Sequence, residues 1–317
     1  MRRLNTLILA VLLIALGAYV YFFELAKDEK GKSERLINFK SDELTGIDLA
    51  NPKQGLQLQK DPSGKWRLTQ PLRAGADDSA VASLIAALAA ADIKRPLEKK
   101  PSAEDLKSFG LDPPAARISL TLKSGFTLPE LVVGAKTALG ESAYVRRGSD
   151  PVVYLTGAAL VFALDKEPNE LRDRTIVAVP PEQATRLEIQ TTGQALIVAK
   201  GEKEEWTIES PLKKSAKTVA VHGYLAQLAQ LRAKTFADDQ PADLKKYGLD
   251  RAALKISVAG KDGKNLATLR VGGKSADGYY AAAEGTPAVY TIDERSYNLL
   301  RKQPADFAAE EKEETKK

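Results

Sequence analysis

The chain contains no cysteine, one histidine, one methionine and two tryptophans in 317 residues. Without cysteine there are no disulfides, thiolate metal sites, iron–sulfur clusters or thiol nucleophiles. A single histidine excludes every site that needs two imidazoles and leaves His222 alone for imidazole acid–base work. An excess of one charge is missing too: 47 basic residues stand against 42 acidic ones, interspersed along the whole chain. The basic pairs Lys99–Lys100, Arg146–Arg147, Lys213–Lys214 and Lys245–Lys246 are scattered, with no aromatic recognition pattern beside them. A solvated mixed-charge surface is expected, and a nucleic-acid partner is not. The lack of cysteine also suits export to an oxidising compartment, where an unpaired thiol is a liability.

What is present begins at the N-terminus. Residues 4–23, LNTLILAVLLIALGAYVYFF, carry no charge over 20 positions. At 1.5 Å per helical residue such a run spans about 30 Å, the thickness of a bilayer's hydrocarbon core. Arg2 and Arg3 precede it, and Tyr19, Tyr21, Phe22 and Phe23 lie at its far end, where aromatic side chains collect at a membrane interface. The expectation is a single-pass signal anchor in the inner (cytoplasmic) membrane. The positive-inside rule then keeps the N-terminus cytoplasmic and places the bulk of the chain on the extracytoplasmic, periplasmic side. The competing reading is a cleaved signal peptide with Ala15-x-Gly17 as its small-residue site, although the apolar run continues six residues beyond Gly17.

Beyond the anchor the chain is written twice. Trp66 in GKWRLTQPL and Trp206 in EEWTIESPL are 140 residues apart, and Pro71 and Pro211 share that offset. DLKSFGLD from Asp105 answers DLKKYGLD from Asp243, and LVVGAK from Leu131 answers LRVGGK from Leu269, both at 138. Pro151–Tyr154 and Pro287–Tyr290, then Lys166-x-Pro168 and Lys302-x-Pro304, follow at 136. So many matches in one order identify an internal duplication. The expected organisation is an anchor over 1–25, a charged tether over 26–34, repeats over 35–174 and 175–309, and a charged tail over 310–317. With 44% hydrophobic residues and about 140 residues each, both repeats are large enough to bury a core.

Within a repeat, Leu56-Gln57-Leu58-Gln59 and Trp66-Arg67-Leu68 flank the turn signal Asp61-Pro62-Ser63-Gly64 and predict an antiparallel hairpin. Val81, Leu84, Ile85 and Leu88 fall at i, i+3, i+4, i+7 and predict a helix, repeated by Val221, Leu225 and Leu228. A short helix around Ala103–Leu106 is expected to end at Gly110, a natural C′ glycine that Gly248 matches. Strands follow around Ile118, Val132, Tyr144 and Val153, then a last helix from Gly157 to Leu164. The fold class is α+β: two tandem similar domains of mainly antiparallel sheet with packed helices, preceded by one transmembrane helix.

These motifs, in this order, resemble the bacterial domain of unknown function DUF4340. The shared pattern is W-x-L-x-x-P, an apolar helix, D-L-x-x-[FY]-G-L-D, a V-G strand, P-V-V-Y and L-x-K-x-P-x-x-L-R-D-R. Both copies carry it, except that Leu171-Arg172-Asp173-Arg174 is answered by Phe307-Ala308-Ala309-Glu310. The resemblance implies a membrane-anchored, exported protein, in some members associated with gliding-motility-type ABC transporters, and supplies no active site.

No residue set announces catalysis. His222 aligns with Ala82 and lies off the helix stripe, so a solvent-facing position is expected. Asp77–Asp78, Asp238–Asp239 and Glu204–Glu205 lack the spacing of a calcium loop, and Gly134 and Gly272–Gly273 lack a phosphate-loop frame and read as strand ends entering a hairpin. Trp66, Trp206, Pro71, Pro211, Gly110 and Gly248 read as core and turn markers; stacking of the two tryptophans on a sugar is the alternative. Arg172, Asp173 and Arg174 are the candidate domain-junction or partner contact. The expected function is a non-enzymatic binding or scaffold component of an envelope complex, with a protein partner and no cofactor or metal. The alternative is an envelope hydrolase acting on cell-wall glycan or peptide through carboxylates.

Overall fold

The computed structural model describes residues 34–310. The predicted anchor, all but the last residue of the tether and all but the first of the tail lie outside the described residues. Among the described residues no helix is long and apolar enough to cross a membrane. The chain divides into two compact units that break between Asp173 and Arg174.

In unit 1 the chain runs β1 (Leu44–Ala50), β2 (Gly55–Lys60), β3 (Trp66–Gln70), β4 (Ala74–Gly75), α1 (Asp78–Ala90), β5 (Arg95–Glu98) and α2 (Ala103–Ser108). It continues through β6 (Ala116–Leu122), β7 (Leu131–Lys136), β8 (Ser142–Arg147), β9 (Val153–Gly157), α3 (Ala159–Leu164) and α4 (Pro168–Leu171). The sheet has nine strands in the order β4-β3-β2-β1-β6-β7-β8-β9-β5. Every pairing is antiparallel. Two four-strand meanders are thus joined side by side through β1 and β6.

Unit 2 repeats the plan with β10 (Arg186–Thr191), β11 (Gln194–Lys200), β12 (Trp206–Ser210), β13 (Lys214–Ser215), α5 (Thr218–Ala229) and β14 (Thr235–Asp238). Then come β15 (Leu254–Ala259), β16 (Asn265–Ser275), β17 (Gly278–Ala283), β18 (Val289–Ile292), α6 (Glu294–Leu300) and α7 (Pro304–Phe307). Its strand order, β13-β12-β11-β10-β15-β16-β17-β18-β14, is that of unit 1.

The helix stripe lies where its periodicity puts it. Val81, Leu84, Ile85 and Leu88 are the buried residues of α1, and Asp77 caps its first turn by accepting from the Ser79 and Ala80 amides at 3.0 Å. In α5 the buried set is Val221, Tyr224, Leu225 and Leu228, and the Tyr224 hydroxyl donates to the Leu300 carbonyl at 2.9 Å. In unit 1 alternate strand residues such as Leu56, Leu58, Ile118 and Leu120 face α1 to complete the main core. Each buried leucine contributes about 2 kcal/mol of transfer free energy.

A second, smaller core lies on the opposite sheet face. Leu106, Phe109 and Leu111 pack on Val132, Tyr144 and Val153, with the Phe109 and Tyr144 rings stacked 4.6 Å apart. In unit 2 Leu244, Tyr247 and Leu249 pack on Tyr280, Ala282 and Val289, although α2 is there replaced by a 3-10 turn, Lys245–Tyr247. The D-L-x-x-[FY]-G-L-D motif is therefore the lid of this far face.

That lid changes the reading of Gly134 and Gly272. They lie within β7 and β16, and their reason is close backbone approach. A Cβ on Gly134 would meet the Phe109 carbonyl oxygen at 2.3 Å, and one on Gly272 the Tyr247 carbonyl oxygen at the same distance. The Ala135 amide donates to that Phe109 carbonyl at 2.8 Å. Gly110 and Gly248 take φ values of +63° and +67°, as C′ glycines do.

The edge strands β5 and β14 are additions to the sequence reading. Arg95-Pro96-Leu97-Glu98 has no alternation, and its proline is tolerated because an edge strand leaves one side unpaired. At the other edge, Ala76 bridges Arg172 and the Asp173 amide donates to the Gly75 carbonyl. In unit 2 Ala216 bridges Ala308 and the Ala309 amide donates to Ser215. The backbone bridge is common to both copies although their sequences part here, because amides and carbonyls form it whatever the side chain.

Gly272→Ala is expected to destabilise unit 2 by about 1–3 kcal/mol, the range for overpacking a tight site. Gly223→Ala, inside α5 with open space around it, should stabilise by about 0.5–1 kcal/mol. Urea denaturation of the two variants checks the opposite signs; equal effects would rule out the backbone contact as the reason for Gly272.

Candidate functional site

Both tryptophans begin a strand and turn into the main core, Trp66 at 8% exposure and Trp206 at 2%. Neither ring offers a face to a sugar, so the stacking alternative falls. Lys60 Nζ lies 5.1 Å from the Trp66 ring centroid. In unit 2 the Trp206 indole N–H donates to His222 Nε2 at 3.3 Å. His222 is solvent-exposed on α5, as its off-stripe position predicts, and one of its nitrogens is engaged by the core tryptophan. Pro71 and Pro211 each follow the tryptophan strand through a cis peptide bond, at the turn into β4 and β13.

Arg172, Asp173 and Arg174 are split by the unit break. Arg172 is 7% exposed and pairs through its backbone with Ala76. Asp173 is bonded through its amide to Gly75, while the Arg174 carbonyl accepts from the Ala233 amide at 2.7 Å inside unit 2.

The acidic pairs do not converge. Asp77 is a helix cap. Asp238 accepts from the Tyr247 hydroxyl at 2.5 Å and from the Gln240 amide at 3.1 Å, with Lys246 Nζ 3.6 Å away. The tyrosine hydroxyl, followed by the Gln240 amide, holds the Asp238 carboxyl below the ordinary carboxylate range. Glu204 pairs with Lys200 at 3.2 Å. Among the described residues no group of three or more His, Asp and Glu side chains is placed to hold a metal ion.

Two cavities merit description. In unit 2 one of about 690 Å³ is lined by Glu182, Lys200, Glu202, Glu204, Asp262 and Lys264 with other residues, a mixture of acids and bases. Glu204 and Asp262 are the two non-glycine residues with φ near +60° among the described residues, and Glu204 stands where copy one has Gly64. Such backbone costs about 1–2 kcal/mol per residue relative to the right-handed region.

In unit 1 a cavity of about 500 Å³ has apolar walls from Leu36, Ile37, Leu128 and Leu131, with Arg147 and Asp150 at its side. Arg147 donates to Glu34 and to the Tyr154 hydroxyl, both at 3.0 Å, and that hydroxyl donates to Asp150 at 2.8 Å. The Val152 amide, then Tyr154, hold the Asp150 carboxyl below its usual range. This network is closed on itself: it can shape an apolar pocket and fix Glu34, the first described residue, to β8. Arg147, Asp150 and Tyr154 are polar residues across one hairpin and Glu34 lies 113 residues earlier, so their spacing carried no motif.

Sequence reasoning also passed over Lys94 and Lys234. Lys94 Nζ donates to the Glu141 carbonyl and Lys234 Nζ to the Asp277 carbonyl, each at 3.1 Å. Both pin the edge strand to the hairpin ahead of it. Their matched offset of 140 was the available signal.

The Asp238–Tyr247 bond sets a pH dependence. A carboxyl with a lowered folded pKa stabilises above its unfolded value, about 3.9, and that contribution is lost as pH falls through the folded value. Tyr247→Phe should therefore be destabilised relative to the parent at pH 6, with the gap narrowing towards pH 2.5. Urea midpoints at the two pH values measure it; a gap independent of pH would show that the hydroxyl does not act through Asp238.

The family described as a domain of unknown function, DUF4340, matches residues 66–221 and again 206–311. Both matches open on the tryptophan that starts the third strand of a unit, and the first runs on through the break into α5. No curated protein and no solved structure matches the chain. With the duplicated pattern matched from Trp66 onward across more than half its length, the chain belongs to the DUF4340 family.

Proposed function

We propose that the chain is a membrane-anchored, extracytoplasmic binding or scaffold protein of a bacterial envelope complex. Its anchor is the apolar run over 4–23, and its working surface is protein-facing. The observation that carries this reading is the open face of each sheet. Away from the lid, alternate residues of β1, β2, β3 and β6 point outward, among them Asp48, Gln59, Arg67 and Arg117, all exposed. Antiparallel sheets bury one face and present the other to water, and here the presented face is broad, polar and held by rigid strands. Cross-strand bonds such as Gln57 Nε2 to Asp48 at 2.9 Å order it further. The family resemblance adds an ABC-type exporter of the gliding-motility kind as the machine it would serve.

In cells with a permeabilised outer barrier and intact inner membrane, added protease should digest the bulk of the chain. Protection until the inner membrane is lysed would overturn the placement. A photo-crosslinking residue at Gln59 should give discrete adducts with membrane proteins, and one at buried Leu58 should not. Absence of adducts from Gln59 in correctly placed protein would sink the scaffold role alone.

A further inference from the structure

The two copies act as controls for one another: a feature the fold requires appears in both, and a feature in one alone asks for another reason. On the outward face of unit 2, Lys255 of β15 lies directly opposite Arg270 of β16. Directly opposed side chains have Cβ atoms about 4.5–5.5 Å apart, and like charges in that relation are destabilising. Copy one has Arg117 opposite Val132 at the matched pair, and Glu130 neutralises Arg117 at 3.0 Å. At the position of Glu130 copy two has Thr268, which is buried. At the position of Pro113 it has Arg251. Copy two has thus lost the counter-ion and gained two cations at one place. None of Arg251, Lys255 and Arg270 forms an ion pair with a described residue.

These three cations line one pocket of about 460 Å³, together with Thr191, Thr192 and a single carboxylate, Asp250. Lys255 and Arg270 are half-buried, Arg251 and Asp250 exposed. Half-burial weakens solvent screening of the repulsion between the opposed pair, so an oxyanion between them would relieve it. Guanidinium forks match phosphate and carboxylate oxygens in pairs, and the lysine adds a point charge.

We infer that unit 2 carries an oxyanion-binding site formed by Arg251, Lys255 and Arg270, which takes the phosphate or carboxylate group of a ligand. The site lies on the presented sheet face and has no equivalent in unit 1. It does not depend on the anchor or on the scaffold reading.

The test is calorimetric titration of the purified full chain, at fixed ionic strength, with inorganic phosphate and separately with malonate. Saturable binding of at least one anion is expected. Arg270→Val, which restores the copy-one residue, should weaken it at least tenfold, and Lys255→Ala should weaken it too. Lys213→Ala, an exposed lysine elsewhere in the unit, should leave it within twofold. Without anion, Arg270→Val should unfold at the same or a higher temperature than the parent, because the opposed charges are relieved. Which anion saturates distinguishes a phosphate ligand from a carboxylate one. No saturable binding of either anion, or binding to Arg270→Val within twofold of the parent, would overturn the site. Should Arg270→Val fail to fold by circular dichroism, the relief of repulsion is refuted and Lys255→Ala decides the binding.

Discussion

Each unit depends on the antiparallel pairing of its first strand with its sixth, β1 with β6 and β10 with β15. Within each meander the strands are joined by hairpins and turns, which need only local sequence; the edge strands β5 and β14 are added afterwards, on β9 and β18. The first-to-sixth pair brings together residues some seventy positions apart and turns two meanders into a single sheet. Once it is made, the apolar sides of both meanders form one surface, wide enough to bury the stripe of α1 or α5. The same join sets the outward face, because pairing in register fixes which alternate residues point away from the helices.

The parts of this plan that the sequence displays are those whose cause is local. The stripe of Val81, Leu84, Ile85 and Leu88 and the hairpin around Asp61-Pro62-Ser63-Gly64 follow from periodicity and turn chemistry. So does the helix end at Gly110, whose αL backbone favours glycine. The hidden parts have tertiary causes. The far-face core cannot be read from Leu106, Phe109 and Leu111 alone, since Val132 and Val153 look equally fit for the main core. Gly134 carries no local sign that another backbone passes over it. Edge strand β5, with Pro96 in its middle, looks like a loop until β9 is there to pair with it.

For the candidate sites the balance is similar. Burial of Trp66 and Trp206 was legible from their place in matched strands. The hydrogen bond from Trp206 to His222 was not, because it joins a strand to a helix face. Arg172 and Asp173 stood out as charged residues, whereas their shared task with Ala308 and Ala309 is carried by amides and carbonyls. The charge difference at Lys255 and Arg270 became visible only when strand register placed them opposite each other.

The strand order also governs when a unit can be finished. The strands flanking α1 sit at opposite edges of the sheet, and β5 pairs with β9 alone among the named strands. A chain appearing N-terminus first therefore makes β1 to β4 and α1 early and must leave β5 waiting until Leu155 and its neighbours arrive. The edge at β4 is closed later still, by Arg172 and Asp173. Completion of the first unit thus coincides with the emergence of its last residues, so a nascent chain holds an unfinished sheet for nearly the whole length of the unit.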